Sequence, residues 1–447
     1  MAAPSLLAGL ASAALLGRST LPRGRRVSAS ALAEDATVGF ALAIPVLLLW
    51  GLAGLPWTPV TVPAIVVGLS AVLLLVRPRT ALSQAPTRGP DRTAAAICAE
   101  VLLGVCFLVA CWKWIRAPLW SWDHFAIWGV KARRIVQDST LDLGFLDLRA
   151  FDSSNPSYPI GLPLIWRVLS PSDPSASEFR AAHVVFAAGL VAAVREAARR
   201  LGASRSFAAL AAAALCFSPL FWDTEALGLA DLPLACLATV SLLLLLEARA
   251  DPGVPAWAAG AGFGFLSWIK TEGFFLGALL AAAGFLLIAP SSGGKSRWRR
   301  RAVLTAAWLL WALSSLAVRR SLLGTGVGFF DGDWRGRLIA RSAHPGPIFS
   351  AVLGDLGGRE WLGLWVLFGV AAIVSLLLRR RLPILLSGVV ATQLGFYVFV
   401  YFATYLDPVK HLESSFHRIA AALAPLAILT VVAGLADAVP ARRPSAA

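Results

Sequence analysis

Asp123, Asp231, Lys270, Glu272 and Arg418 stand at the edges of long apolar runs, where a charged side chain needs a reason to be kept. A carboxylate beside cations can take the proton of a hydroxyl while the cations hold an anion such as a phosphate. Asp123 lies in the stretch WSWDHFAIWGVKARRIV, from Trp120 to Val136. A helix starting after Asp123 puts Phe125, Trp128, Ala132 and Ile135 on one stripe and turns Lys131, Arg133 and Arg134 toward another. The plain reading is an aromatic anchor at a membrane surface with Asp123 as its N-cap. The chemical reading makes Asp123 a general base, with Lys131, Lys270 and Arg418 as phosphate ligands and Arg133 and Arg134 as lesser ones. Each also has a bland alternative: Asp231 as an N-cap, Lys270 with Glu272 as a snorkelling pair at a tight turn, Arg418 as an interfacial anchor. At an interface a charge is cheap to remove, so neutralising Lys270 or Arg418 is expected to affect ligand use more than folding.

The elements that must position these residues are apolar helices. Of the 447 residues 58% are hydrophobic and 15% charged, with a mean hydropathy of +0.72, too little polar surface for a water-soluble globule. About thirteen runs are candidate spans, at roughly 3–17, 36–55, 60–76, 94–115, 181–195, 207–222, 232–246, 256–269, 273–289, 302–318, 362–378, 382–402 and 419–436. The net charge of +15 and pI of 10.7 do not mark a nucleic-acid face, because the basic clusters lie between alternate runs. One orientation places them all on the cytoplasmic side and gathers the five charged residues above on the outer side. All five cysteines fall inside the runs, which offers neither a disulfide framework nor a CxxC metal site. His411 and His417 lack a carboxylate at ligand spacing along the chain, so no metal is expected. Glu100, inside a run, should pair with a neighbouring helix, and GAGFGF from Gly260 should pack helices closely through its small residues.

Four motifs in order carry a family likeness: WDHFAIWGVKAR from Trp122, YPIGLPLIW from Tyr158, LADLPLA from Leu229 and WIKTEGFFL from Trp268. Together they resemble polytopic bacterial glycosyltransferases of the GT-C superfamily, similar to the dolichyl-phosphate-mannose protein mannosyltransferases, over roughly residues 94–435. The resemblance implies an all-α polytopic membrane protein, a GT-C-like bundle of about thirteen transmembrane helices with a large first outer loop, 116–180, carrying interfacial helices. Residues 1–93 would add N-terminal helices to a catalytic domain at 94–436, and 437–447 would be a cytoplasmic tail. It further implies transfer of a sugar from a polyprenyl-phosphate carrier to a lipid, glycan or protein acceptor on the outer face of the inner (plasma) membrane. Asp123 matches the family's catalytic acid and Asp231 a second one; Lys270 and Glu272 match a basic and acidic pair, and His124 and Tyr158 fall with the substrate-binding motifs. The expected partners are the lipid-linked sugar and membrane lipids, with no cofactor, no metal and no nucleic acid. Asn155, Pro156 and Ser157 stand where the family pattern has His and Asp, and a single Asp123 replaces an Asp-Glu pair. A transporter or flippase of lipid-linked saccharides is the alternative; it would place ionisable groups near mid-helix, accessible from either side.

Overall fold

The computed structural model describes residues 2–21, 28–58, 60–76, 93–118, 121, 123–138, 144, 157–169, 176–223, 228–288, 294–322 and 332–436. Trp120, Trp122, other parts of the expected loop 116–180 (119, 139–143, 145–156 and 170–175) and the tail 437–447 lie outside them. Among the described residues the chain is helical and holds no strand: α1 (Ala2–Thr20), α2 (Ala29–Leu52), α3 (Thr61–Val76), α4 (Ala94–Arg116), a π-helical turn (Asp123–Trp128), α5 (Gly129–Gln137), α6 (Gly161–Leu169), α7 (Ala176–Arg200), α8 (Arg205–Cys216) and α9 (Pro219–Trp222). There follow α10 (Asp231–Ala250), α11 (Ala256–Ile269), α12 (Gly273–Leu287), α13 (Gly294–Leu322), α14 (Trp334–Ser342), α15 (Gly346–Leu356), a 3₁₀ turn (Arg359–Trp361), α16 (Leu364–Leu377), α17 (Arg381–Ala403), α18 (Pro408–Ala421) and α19 (Ala424–Ala436).

Each expected apolar run falls largely on one helix, except that 207–222 divides between α8 and α9 and 419–436 between α18 and α19, and only about half are long enough to cross a membrane alone. Among the described residues six helices pass by length and composition, seven when α18 and α19, bent by 49° to each other, count as one broken span. At about 1.5 Å per residue the 14 residues of α11 reach roughly 21 Å, short of a hydrocarbon core of about 30 Å. Side-chain oxygens set several starts: Ser28, Thr93 and Ser204 accept from the amides of Ala31, Ala96 and Phe207 at 3.1–3.2 Å.

α10 is the axis of the bundle, buried at every residue from Asp231 to Ala248. At the periphery α4 leaves Ile97, Val101, Val105, Leu108, Trp112 and Ile115 exposed at spacings of three and four, an apolar face suited to lipid. α11 and α13 touch backbone to backbone. A Cβ at Gly260 would fall 2.2 Å from the Leu304 carbonyl oxygen and one at Gly264 2.5 Å from that of Trp308, the close approach expected of GAGFGF. The N-terminal helices join the same core: Trp311 Nε1 donates to the Ala41 carbonyl at 2.7 Å, and Arg167 donates to that of Trp57.

Polar contacts divide the bundle into two ends. At one, Arg195 and Arg205 of α7 and α8 grip Glu100 of α4, Arg205 Nε at 3.0 Å, the pairing expected of Glu100. Arginines there also close helix C-termini: Arg300 donates to the Ala248 carbonyl, Arg301 to Ile288 at 3.2 Å, Arg380 to Gly434 and Arg381 to Leu286, both at 2.7 Å. The other end gathers Asp123, Ser157, Asp231, Lys270, Arg319, Asp355 and Arg418. There Arg337 and Arg341 cap α17, Arg341 donating to Thr404 at 2.7 Å and Leu406 at 3.0 Å.

Candidate functional site

The segment that presents Asp123 is not an ordinary α-helix. Asp123–Trp128 winds as a π-helix, a wide turn that is rare in proteins and frequent at functional sites. Gly129 permits it: a Cβ there would sit 2.5 Å from the His124 carbonyl oxygen. The turn resets the phase of the helix that follows. Trp128, Lys131, Ala132 and Ile135 form its buried stripe, whereas Phe125 is exposed. Lys131 therefore points inward and donates to the Tyr158 carbonyl at 3.2 Å. Burial, with Arg319 nearby, pushes its ammonium down to about 7. His124 is likewise enclosed, its ring 4.7 Å from Phe179, 5.2 Å from Phe125 and 5.9 Å from Trp166. Burial and then the Arg133 charge push its imidazole down to about 4, so it is neutral at pH 7. Arg133 lies over the Phe179 ring at 5.8 Å and Arg134 pairs with Asp138 at 2.9 Å. His124 and Lys131 are thus buried beneath the site, while Arg133 and Arg134 are engaged by Phe179 and Asp138.

The remaining candidates converge. Arg418 of α18 donates to Asp123 at 3.0 Å. Lys270, capping the C-terminus of α11, meets Asp231 at 2.8 Å and Glu272 at 2.9 Å. The two groups are neighbours, since Asp231 and Asp223 also lie within electrostatic reach of Arg418, and Glu272, Lys270, Asp123 and Arg418 all within reach of the Tyr158 hydroxyl. Burial pushes that phenol up, with Glu272 adding to the effect, so it remains a proton donor. The pairs differ in depth. Side-chain exposure is 3% for Asp231 and 12% for Lys270, but 31% for Asp123 and 24% for Arg418. Burial alone would lower Lys270; the Asp231 and Glu272 carboxylates outweigh it and hold the ammonium well above its usual range. Removing Lys270 is therefore costly, contrary to the expectation for an interfacial charge, because Asp231 would be left buried and uncompensated. In these ion pairs Lys270 and Arg418 face Asp123, Asp231 and Glu272, with Asp223 within electrostatic reach of Arg418 and Arg319 within reach of Glu272, so both ion-paired cations are already engaged by carboxylates.

Sequence reasoning missed several contributors. Arg319 Nε donates to the Ser157 carbonyl at 2.9 Å, holding the chain just before Tyr158. Tyr397 and Tyr401, one turn apart on α17, lie within reach of Lys270 and Glu272; their spacing of four was the available signal. Asp355 and Glu360 approach His417 at 2.7 and 4.0 Å. Glu413 lies four residues before His417 along the chain, but the carboxylates that meet the imidazole come from elsewhere, Asp355 from 62 residues away. Compared with protein-family models, curated proteins and solved structures, the chain matches none.

Proposed function

We propose that this chain is a membrane glycosyltransferase that moves a sugar from a polyprenyl-phosphate carrier to an acceptor hydroxyl on the outer face of the membrane. The observation that carries the reading is the convergence of Asp123, Asp231, Lys270, Glu272 and Arg418, from separate elements, into one cluster at one end of an apolar bundle. Asp123, the most accessible of the acids in the two ion pairs, takes the proton of the acceptor hydroxyl. The acceptor oxygen attacks the anomeric carbon, the carbon–oxygen bond to phosphate breaks with inversion, and the departing phosphate keeps the electron pair. Arg418 and Lys270 stabilise that charge where water is scarce. An apolar cleft of about 160 Å³, lined by Leu10, Ala36, Phe40, Phe186 and Leu237, offers part of the carrier's hydrocarbon a place between helices.

The cluster sits at helix ends, Asp231 as the first residue of α10 and Lys270 just after α11, and this placement favours an enzyme over a carrier. The test uses purified protein and a panel of radiolabelled polyprenyl-phosphate sugars, with Asp123→Asn beside the natural chain. One donor should be consumed, and Asp123→Asn should lower turnover by about 10²- to 10⁴-fold without loss of fold. Transport of the intact lipid-linked sugar in vesicles, with no glycosidic product, would favour the flippase reading instead.

A further inference from the structure

We infer that Asp355, Glu360 and His417 form a binding site for a divalent transition-metal ion, with Zn²⁺ the best chemical match. The three residues come from different elements: Asp355 from the last turn of α15, Glu360 from the 3₁₀ turn after it, His417 from α18. One ligand atom from each lies within 4.8 Å of the others. His417 Nδ1 stands 2.7 Å from Asp355 Oδ1 and 4.0 Å from Glu360 Oε1. An imidazole nitrogen with two carboxylates is a donor set that suits zinc, whose bonds to such atoms are about 2.0–2.2 Å and whose open sites use three protein ligands and water.

Two further observations point to a ligand. Asp355 Oδ2 is buried and has no hydrogen-bond partner, an acceptor with its lone pairs left over. Glu360 is folded back so closely that a Cβ at Gly358 would lie 1.8 Å from its Oε1, while its side chain remains 43% exposed. The cluster thus has a closed wall at Asp355, and Glu360 leaves it open to water and an entering ion. The Trp361 ring lies 5.0 Å from the His417 imidazole and limits its rotation. The charges facing His417 are Asp355, Glu360 and Asp223, with Arg418 next along the helix. A divalent ion bridging Nδ1 and the two carboxylates replaces the proton now shared by His417 and Asp355, and that pair opens slightly to admit it. The site does not depend on the glycosyl-transfer reading; should both hold, the ion adds positive charge beside the Arg418 that faces the phosphate.

The test is metal uptake by the purified full chain in detergent, stripped with chelator and dialysed against ⁶⁵Zn²⁺. About one equivalent should bind. Asp355→Asn, Glu360→Gln and His417→Gln should each weaken binding at least tenfold, while His411→Gln, six residues away on the same helix, should not. Gel filtration and thermal melting without metal identify any variant that fails to fold, and Glu360→Gln, changed at the most exposed ligand, is the variant expected to remain intact. Zinc should also raise the melting temperature of the natural chain and not of a folded variant. Absence of stoichiometric uptake by the natural chain, or uptake unchanged in all three variants, overturns the assignment.

Discussion

At the scale of single residues, depth decides what a charge does. The Asp123–Arg418 pair is a quarter to a third exposed, and a pair so placed contributes about 1 kcal/mol or less. Lys270 with Asp231 is another case. Lys270→Met should destabilise the fold by about 3–5 kcal/mol by stranding a buried carboxylate, and Asp231→Asn added to it should restore most of the loss. Melting curves of the two single variants and the double variant read this directly; additive losses would mean that the pair is not coupled. His124 gives a pH dependence. Its folded imidazole titrates near 4 and an unfolded one near about 6.5, so the unfolded state takes up the proton first. The stability this group permits is complete above pH 6.5 and falls by about 3 kcal/mol as pH drops toward 4. His124→Phe, which suits the pocket of Phe125, Trp166 and Phe179, should flatten that part of the profile. The charged members of the site were legible because a cation or acid at the edge of an apolar run is conspicuous. The inward turn of Lys131 was not legible, since it depends on a π turn that ordinary helical spacing does not encode.

At the scale of elements, the π turn and the short helices are where the structure departs from sequence periodicity. Gly129→Ala puts a methyl 2.5 Å from the His124 carbonyl oxygen, and the wide turn must deform to accept it. The expected cost is about 1–3 kcal/mol, with a loss of activity larger than the loss of fold because Asp123 moves relative to Arg418. Activity and melting temperature measured on the same preparation separate the two; an active, fully stable Ala variant would show that the turn tolerates a side chain. Helix existence was readable along the apolar runs, punctuated by Gly, Pro and capping Ser or Thr, but not for α14 and α15, which lie in a stretch without such a run. The lengths of α11 and α12 were readable too, since the runs 256–269 and 273–289 nearly match them, but their apolarity made them look like full spans although they stop short at the turn that carries Lys270 and Glu272. The likeness of His417, Asp355 and Glu360 to a metal site was also invisible along the chain, since α15 meets α18 only after folding.

At the scale of the whole molecule, the division into two ends follows the alternation of basic and mixed loops. Its orientation can be tested in a background with the exposed Cys98 replaced by Ala. A cysteine at Ser342 should react with an impermeant reagent added outside intact cells, and one at Ser296 only after the membrane is opened; the reverse order would move the site to the cytoplasm. The arginines opposite the site have a further consequence. Arg300, Arg301, Arg380 and Arg381 were conspicuous as positive charge, and each also closes the carbonyl end of a helix. They carry two instructions, one read while the chain is being threaded and one after it has folded. Threading responds to charge and accepts Lys in place of Arg. A terminal carbonyl needs a group of the right reach, and the planar fork of Arg loses less freedom in forming each bond than the flexible ammonium of Lys. Replacing all four with Lys should therefore leave the labelling pattern intact and lower the melting temperature, so that biogenesis and endurance, written in the same residues, come apart.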